Sequence, residues 1–347
     1  MLIYEGADYA VRKVFLTQAD RQAKDIAPPA GAAEGGPVVV TFPHAGPPTM
    51  NADLAFGEVF LRRKGIDAYH VINAKVDWFQ SPDIMRALAA IRADLPPGRR
   101  IVTYGSSMGG YGALLGSGPL GAAAVLAAAP QFSIDRAAVP DEVRWKDHAA
   151  RIGPFIHQIE DHISSDARIY TLHDPRNYDE RQINMFAPHP HWTQLRLPYS
   201  GHTPLMVLQQ SGVLTELILD ICHDRMDSAA WRARLHGVRR QSRAYWRVIS
   251  VHAARMERAD FAWYSFAKLK ALGGTPKECE GIRISIERNL DLRRRQAESR
   301  AHMARLKAER EARQALRAER QQHKAVSKAT PETRAPDRTA APQDPTP

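Results

Sequence analysis

Cysteine is nearly missing from this chain. Cys222 and Cys279 are the only two in 347 residues, too few for a disulfide framework, so the expected setting is a reducing one, the cytoplasm. No run of about 18 consecutive apolar residues occurs. The opening residues Met1-Leu2-Ile3-Tyr4-Glu5-Gly6 carry no basic stretch leading into an apolar one, so neither secretion nor membrane spanning is expected. Paired metal ligands are lacking too. His189-Pro190-His191 has ligand-like spacing but no matching carboxylate or second pair; no metal is expected, and nothing calls for an organic cofactor. No segment repeats at a regular period.

Charge of one sign is scarce only in part of the chain. The net charge is +10, but Ser228 to Pro347 hold 27 Lys and Arg against 13 Asp and Glu, leaving 21 against 25 for residues 1–227. The basic character therefore belongs to the tail. A solvated Arg-rich helix is the plain reading, and an electrostatic anchor for an acidic partner or surface is the functional one. The tail lacks the aromatic interleaving of a stacking platform, and no groove-reading motif is present, so nucleic acid is not the expected partner.

What the chain does have is Gly105-Ser106-Ser107-Met108-Gly109, between an apolar run Ile101–Tyr104 that reads as a buried strand and Tyr111–Leu115, which reads as a helix. Strand, G-x-S-x-G, helix is the arrangement of a nucleophile elbow. The sharp reversal demands small residues on both sides of the serine, and Gly105, Gly109 and Gly110 supply them. Ser107 is the candidate nucleophile. Its hydroxyl would stand at the N-terminus of a helix, where free N–H groups favour a developing oxyanion.

Val38-Val39-Val40-Thr41-Phe42-Pro43-His44-Ala45-Gly46, the elbow, and Gly201-His202 follow one another in the order of the α/β-hydrolase superfamily. Over roughly residues 1–225 the chain resembles that superfamily. The resemblance implies a mostly parallel sheet flanked by helices and a Ser/His/acid hydrolase. It also implies an oxyanion hole built from the N–H of Met108 and a second amide in the loop after Val38–Phe42. Pro43 has no N–H, which leaves His44 or Ala45, and the loop departs from the glycine-rich form.

The acid of the triad is expected in Asp174-Pro175-Arg176-Asn177-Tyr178-Asp179, after the strand Arg168–His173. Asp174 is preferred. Asp179 is the alternative, with capping of the next helix as its other role; for either, an Asx turn is the plain reading. His202 lies between a short strand, Leu195–Pro198, and an apolar helix expected over Leu205–Cys222, with Thr203 as N-cap and Pro204 at N1. Trp78, with Phe79 and Gln80, lies in a loop on the elbow's side of the sheet. It could line the substrate site, though an aromatic pair capping the core is the plainer role.

The remaining segments order themselves around these. Residues 2–16 read as an edge hairpin turning at Gly6-Ala7-Asp8, and Ala27 to Pro37 as a loop. Asp53–Lys64 and Ser81–Ala93 read as helices, and Ala68–Ile72 and Ala122–Ala128 as strands. Residues 132–163 resemble the insertion that forms a lid in this fold, and a small helical lid is expected there. Beyond residue 225 an all-helical basic extension runs to about 325, with a hairpin of helices over Trp231–Leu272 that breaks at Ala259-Asp260. A long charged helix begins at Thr275-Pro276 and lacks sustained a/d leucines, so it is not expected to form a strong coiled coil. Residues 326–347, rich in Pro, Thr and Ala, are expected to be disordered.

The expectation is thus an α/β protein with a helical C-terminal extension, cleaving an acyl ester of a small molecule or glycan through Ser107, His202 and Asp174. The alternative is a catalytically silent scaffold whose basic tail binds an acidic partner.

Overall fold

Among the described residues the strands are β1 Leu2–Glu5, β2 Tyr9–Val14, β3 Val38–Phe42, β4 Asp67–Asn73, β5 Ile101–Ser106, β6 Ala124–Ala128, β7 Arg168–His173 and β8 Trp192–Arg196. They form a single eight-stranded sheet in the order β1-β2-β4-β3-β5-β6-β7-β8. The computed structural model describes residues 1–23, 36–50 and 52–329. The loop expected at 27–37 and the disordered tail lie almost wholly outside the described residues.

β1 and β2 form the expected hairpin, closed by Gly6 N–H donating to the Tyr9 carbonyl at 2.8 Å. β2 pairs antiparallel with β4, and every pairing from β4 to β8 is parallel. Composition explains the order. Every residue of Val38–Phe42 and of Ala124–Ala128 is buried, as central parallel strands covered on both faces require. β8, at the edge, buries only Leu195 among its five residues.

Each face of the sheet carries its own apolar layer. On one, Phe42, Tyr69, Phe79, Met108 and Tyr111 pack with the helices Asp83–Asp94 and Met108–Leu115. On the other, Val39, Tyr104, Leu126 and Leu172 pack with the helix Leu214–Cys222 and with Trp231, Leu235, Trp246 and Ile249. Those last four lie on the helices Ser228–Val238 and Arg243–Arg255. One compact unit therefore extends to Ile286, well past the boundary expected near residue 225. Burying two tryptophans and their neighbours removes enough apolar surface to make these helices part of the same core.

Three local expectations need correction. Leu205–Cys222 is not one helix but two, Pro204–Gln210 and Leu214–Cys222, bent by 109°. Gly212 takes φ +74 at the bend, a conformation glycine adopts without strain, and the polar stretch Gln209-Gln210-Ser211-Gly212 interrupts the apolar pattern there. Trp231–Leu272 is covered by three α-helices, Ser228–Val238, Arg243–Arg255 and Ala259–Ala271, the first capped by Asp227. The expected lid, 132–163, holds one helix, Lys146–Ile152, and a 3-10 turn, Ile159–His162, the rest being loop. Among the described residues no single helix is long and apolar enough to cross a membrane.

The second unit, Glu287–Pro347, consists in its described residues of the later part of the helix Pro276–Ala329. Residues 294–322 are all exposed. Ion pairs one turn apart, such as Arg295 with Asp291 at 2.9 Å, support it locally.

Candidate active site

Six loops leave the C-terminal ends of β3 to β8, and the chemistry collects there. Of the seven non-glycine residues with positive φ among those described, five lie on these loops: Trp78, Phe79, Ser107, Ala129 and Tyr199. Backbone strain persists only where surrounding contacts hold it, and such sites are commonly functional.

Ser107 occupies the turn between β5 and the helix Met108–Leu115 at φ 56 and ψ −122. Its N–H donates to the Ala128 carbonyl at 2.8 Å. A Cβ at Gly105 would collide with the Gly109 carbonyl, and one at Gly109 with the Phe42 carbonyl. The elbow and the end of β3 therefore approach backbone to backbone, which is why both flanks are glycine. Met108 opens the helix, so its N–H has no acceptor within the helix. Of the two residues expected to offer a second amide, Ala45 is half-buried and His44 exposed.

His202 sits ahead of the helix Pro204–Gln210, as expected. Its Nε2 is 2.9 Å from the Ser107 Oγ. Its Nδ1 is 2.9 and 3.0 Å from the two carboxylate oxygens of Asp179. Asp179, not the preferred Asp174, faces the imidazole. The helix Tyr178–Ile183 is capped by Asn177, whose Oδ1 accepts from the Asp179 N–H at 2.7 Å, so the Asp179 side chain is spared that duty. Asp174 is engaged elsewhere: it accepts the Gly201 N–H at 2.8 Å and the Arg176 N–H at 3.0 Å. It thereby fixes the turn that presents His202. Burial raises the Asp174 carboxyl above its ordinary value despite these bonds.

Sequence reasoning missed the groups behind Asp179. Arg144 donates through Nη1 to Asp179 Oδ1 at 2.7 Å and through Nε and Nη2 to Glu142 at 2.9 and 2.6 Å. Gln182 joins the same cluster, its Nε2 donating to Glu142 at 2.9 Å and its Oε1 accepting from the Phe132 N–H at 2.7 Å. Asp179 is wholly buried. Burial opposes its ionisation, but the hydrogen bond to His202 and the Arg144 guanidinium outweigh it and hold the carboxyl below the usual range. No signal in the sequence separates Arg144 from its many sister arginines.

Trp78 is fully buried rather than lining an open site. Its ring lies 5.3 Å from Trp145, which in turn lies 5.8 Å from His202. The expected lid thus contributes Arg144 and Trp145 to the surroundings of the histidine. Trp78 Nε1 donates to Gln131 Oε1 at 3.0 Å, and Gln131 Nε2 is 3.4 Å from the Ser107 Oγ. His189 Nε2 bonds the Ser164 carbonyl at 3.0 Å and its Nδ1 accepts from the His191 N–H at 3.2 Å, so both ring nitrogens are occupied. Among the described residues there is no group of three His, Cys, Asp or Glu able to hold a metal ion.

A mostly parallel eight-stranded sheet, antiparallel at β1 and β2, carries a strained serine on the turn after its central β5. The architecture is α/β-hydrolase-like. No protein-family model matches the sequence, and no curated protein matches it. Solved structures do resemble it distantly. Est1E from Butyrivibrio proteoclasticus with bound ferulic acid shares 11% identity over 64% of this chain and 99% of that one, with a TM-score of 0.44. The capsule O-acetyltransferase of Neisseria meningitidis serogroup A shares 12% over 63% and 93%, at 0.43. MGS-MChE2, an α/β hydrolase enzyme from a sediment metagenome of the lagoon of Mar Chica, shares 13% over 65% and 99%, at 0.40.

Proposed function

We propose that the protein is a serine hydrolase that cleaves acyl esters through Ser107, His202 and Asp179. The observation that carries this reading is the unbroken relay from the Ser107 Oγ through both ring nitrogens of His202 to a buried carboxylate, at 2.9, 2.9 and 3.0 Å. In the mechanism this supports, Ser107 Oγ attacks the acyl carbon while its proton passes to His202 Nε2. Asp179 accepts the Nδ1–H bond, holds the ring in the needed tautomer and steadies the imidazolium. Collapse of the tetrahedral intermediate breaks the bond to the leaving oxygen, which takes the proton from Nε2. Water, activated by the same imidazole, then releases the acyl group. An alcohol in place of water makes the same site an acyltransferase.

Two features favour efficient chemistry. The hydrogen bond to His202 and the Arg144 guanidinium favour the ionised form of Asp179 against its burial, and the Trp145 ring packs beside that of His202. The test is labelling of the purified full chain by a fluorophosphonate probe, with hydrolysis of p-nitrophenyl acetate. Ser107→Ala should abolish both; an active protein whose Ser107→Ala variant still labels and turns over would refute the reading. Replacing water with a sugar or alcohol acceptor and measuring the acylated product separates hydrolysis from transfer.

A further inference from the structure

Gln131 lies just past the end of β6, buried to 0% exposure, with an amide whose orientation its neighbours dictate. An indole N–H can only donate, so the Trp78 Nε1 bond at 3.0 Å identifies the near end of the amide as the oxygen. The nitrogen therefore faces the elbow. One of its hydrogens donates to the Ala129 carbonyl at 3.1 Å. The other is directed at the Ser107 Oγ at 3.4 Å, longer than a good N–H···O bond. A buried amide hydrogen that is poorly used in the resting state, yet aimed at the nucleophile, is poised for an acceptor that arrives later.

We propose that Gln131 is a catalytic residue whose Nε2–H donates to the oxyanion formed when Ser107 attacks the acyl carbon. The proposal rests on Ser107 being the nucleophile. Three substituents other than Oγ surround the tetrahedral carbon. The leaving oxygen must face His202 Nε2 to receive its proton, and the acyl chain carries no charge. A donor held within reach of Oγ therefore serves the remaining substituent, the oxyanion. The electron count is that of the ordinary step: the C–Oγ bond forms, the carbonyl π pair moves to oxygen, and the Oγ proton goes to His202. Gln131 neither gains nor loses a proton.

Gln131 is anchored at both ends of its amide, by Trp78 and Ala129, each at a strained positive φ, 52 and 45. Such anchoring means that no reorientation accompanies charge development, which is the condition under which an oxyanion donor contributes most.

The test compares Gln131→Ala and the isosteric Gln131→Glu with the unaltered full chain. It measures p-nitrophenyl acetate turnover, the affinity for phenylboronic acid as a tetrahedral mimic, and thermal unfolding. Gln131→Ala should lower kcat by about 10²-fold and weaken boronate binding by a similar factor, with KM changed by no more than about threefold. Gln131→Glu should be worse than Ala, since it sets a carboxylate where negative charge develops; a packing role predicts the reverse. Trp78→Phe, which frees the amide to turn, should lose part of the rate and add nothing when combined with Gln131→Ala. Should the alanine variant not fold, the glutamate variant, unchanged in size, decides between the two roles. Wild-type kcat and boronate affinity in these variants, or a loss confined to KM, overturns the role of Gln131 while fluorophosphonate labelling at Ser107 leaves the nucleophile in place. If the unaltered chain neither labels nor hydrolyses, the reading of Ser107 fails and the proposal fails with it.

Discussion

His202 bonds Asp179 through Nδ1 at 2.9 and 3.0 Å, while Asp174, five residues earlier, bonds the backbone of the turn that carries the same histidine. The two aspartates divide the labour of orienting one ring. Asp179→Asn should therefore lower kcat by about 10⁴-fold, because an amide cannot support the imidazolium. Asp174→Asn keeps one acceptor oxygen for the turn and should lose about tenfold or less. Steady-state kinetics on both variants decide the assignment, and a larger loss at Asp174 would reverse it.

Strain at the elbow should be visible in stability. Ser107 at φ 56 lies where glycine is at ease and other residues are not. Ser107→Gly should raise the unfolding free energy by about 1 kcal/mol while eliminating turnover. Ser107→Ala keeps the Cβ and should gain nothing. Gly105→Ala, which drives a methyl into the Gly109 carbonyl, should destabilise by about 3 kcal/mol or more. Urea titration of the three variants measures all of this.

Legibility in the sequence followed the range of the interactions. Ser107 could be read because G-x-S-x-G states a local backbone requirement, and the strands at Val38–Phe42 and Arg168–His173 because burial on both faces leaves an apolar run. His202 could be read because a glycine before it and a proline at the start of the next helix mark its turn, although the Thr203 hydroxyl bonds the Ser200 carbonyl rather than capping that helix. The choice between Asp174 and Asp179 could not. It depends on the Gly201 amide, 27 positions from Asp174 in the chain, and on Asn177 taking the cap. Arg144 and Gln131 gave no pattern at all, since their roles arise from partners on other loops. The bend at Gly212 does have a sequence signal, the polar break Gln209-Gln210-Ser211-Gly212 ending in a glycine, which the expectation of one continuous helix ran over.

Removing Arg144 should act on both stability and pH dependence. Its guanidinium lies between two buried carboxylates, Glu142 and Asp179, which would be left facing each other and His202. Arg144→Met should destabilise by about 3 kcal/mol, the scale for breaking a buried pair. The Asp179 carboxyl, no longer held down, should then take up a proton at higher pH. Activity needs it ionised, so the acid limb of the kcat/KM profile should move upward in pH. An unmoved limb in a folded variant would show that Arg144 has no electrostatic hold on the site.

The charged helix should be dispensable for the chemistry. Ile286 is the last fully buried residue among those described, and Ile282 and Cys279 pack against the second apolar layer, so a chain ending at Ile286 keeps every contact within the first unit. Ester turnover and the thermal midpoint should survive that truncation. Any salt-sensitive binding to an acidic polymer such as polyglutamate should be lost with the removed residues. Loss of the fold instead would mean that the later helix is part of the structural core.

A buried histidine away from the site should make the fold acid-labile. His70 lies on β4 at 0% exposure, with Nδ1 2.7 Å from the Thr41 hydroxyl. Burial pushes its pKa down to about 4 from 6.5, against the pull of Glu58 and with a smaller push from Arg12. The unfolded chain therefore takes up the proton first as pH falls. The stabilising difference is complete above pH 6.5 and is lost between there and about 4, a span worth about 3 kcal/mol in proton linkage. His70→Gln keeps a hydrogen-bonding side chain of similar reach but cannot titrate. Its stability should decline less between pH 6.5 and 4 than that of the unaltered protein, measured by urea unfolding at a series of pH values. Parallel pH profiles for the two would mean that His70 carries its proton in the folded state as readily as in the unfolded one.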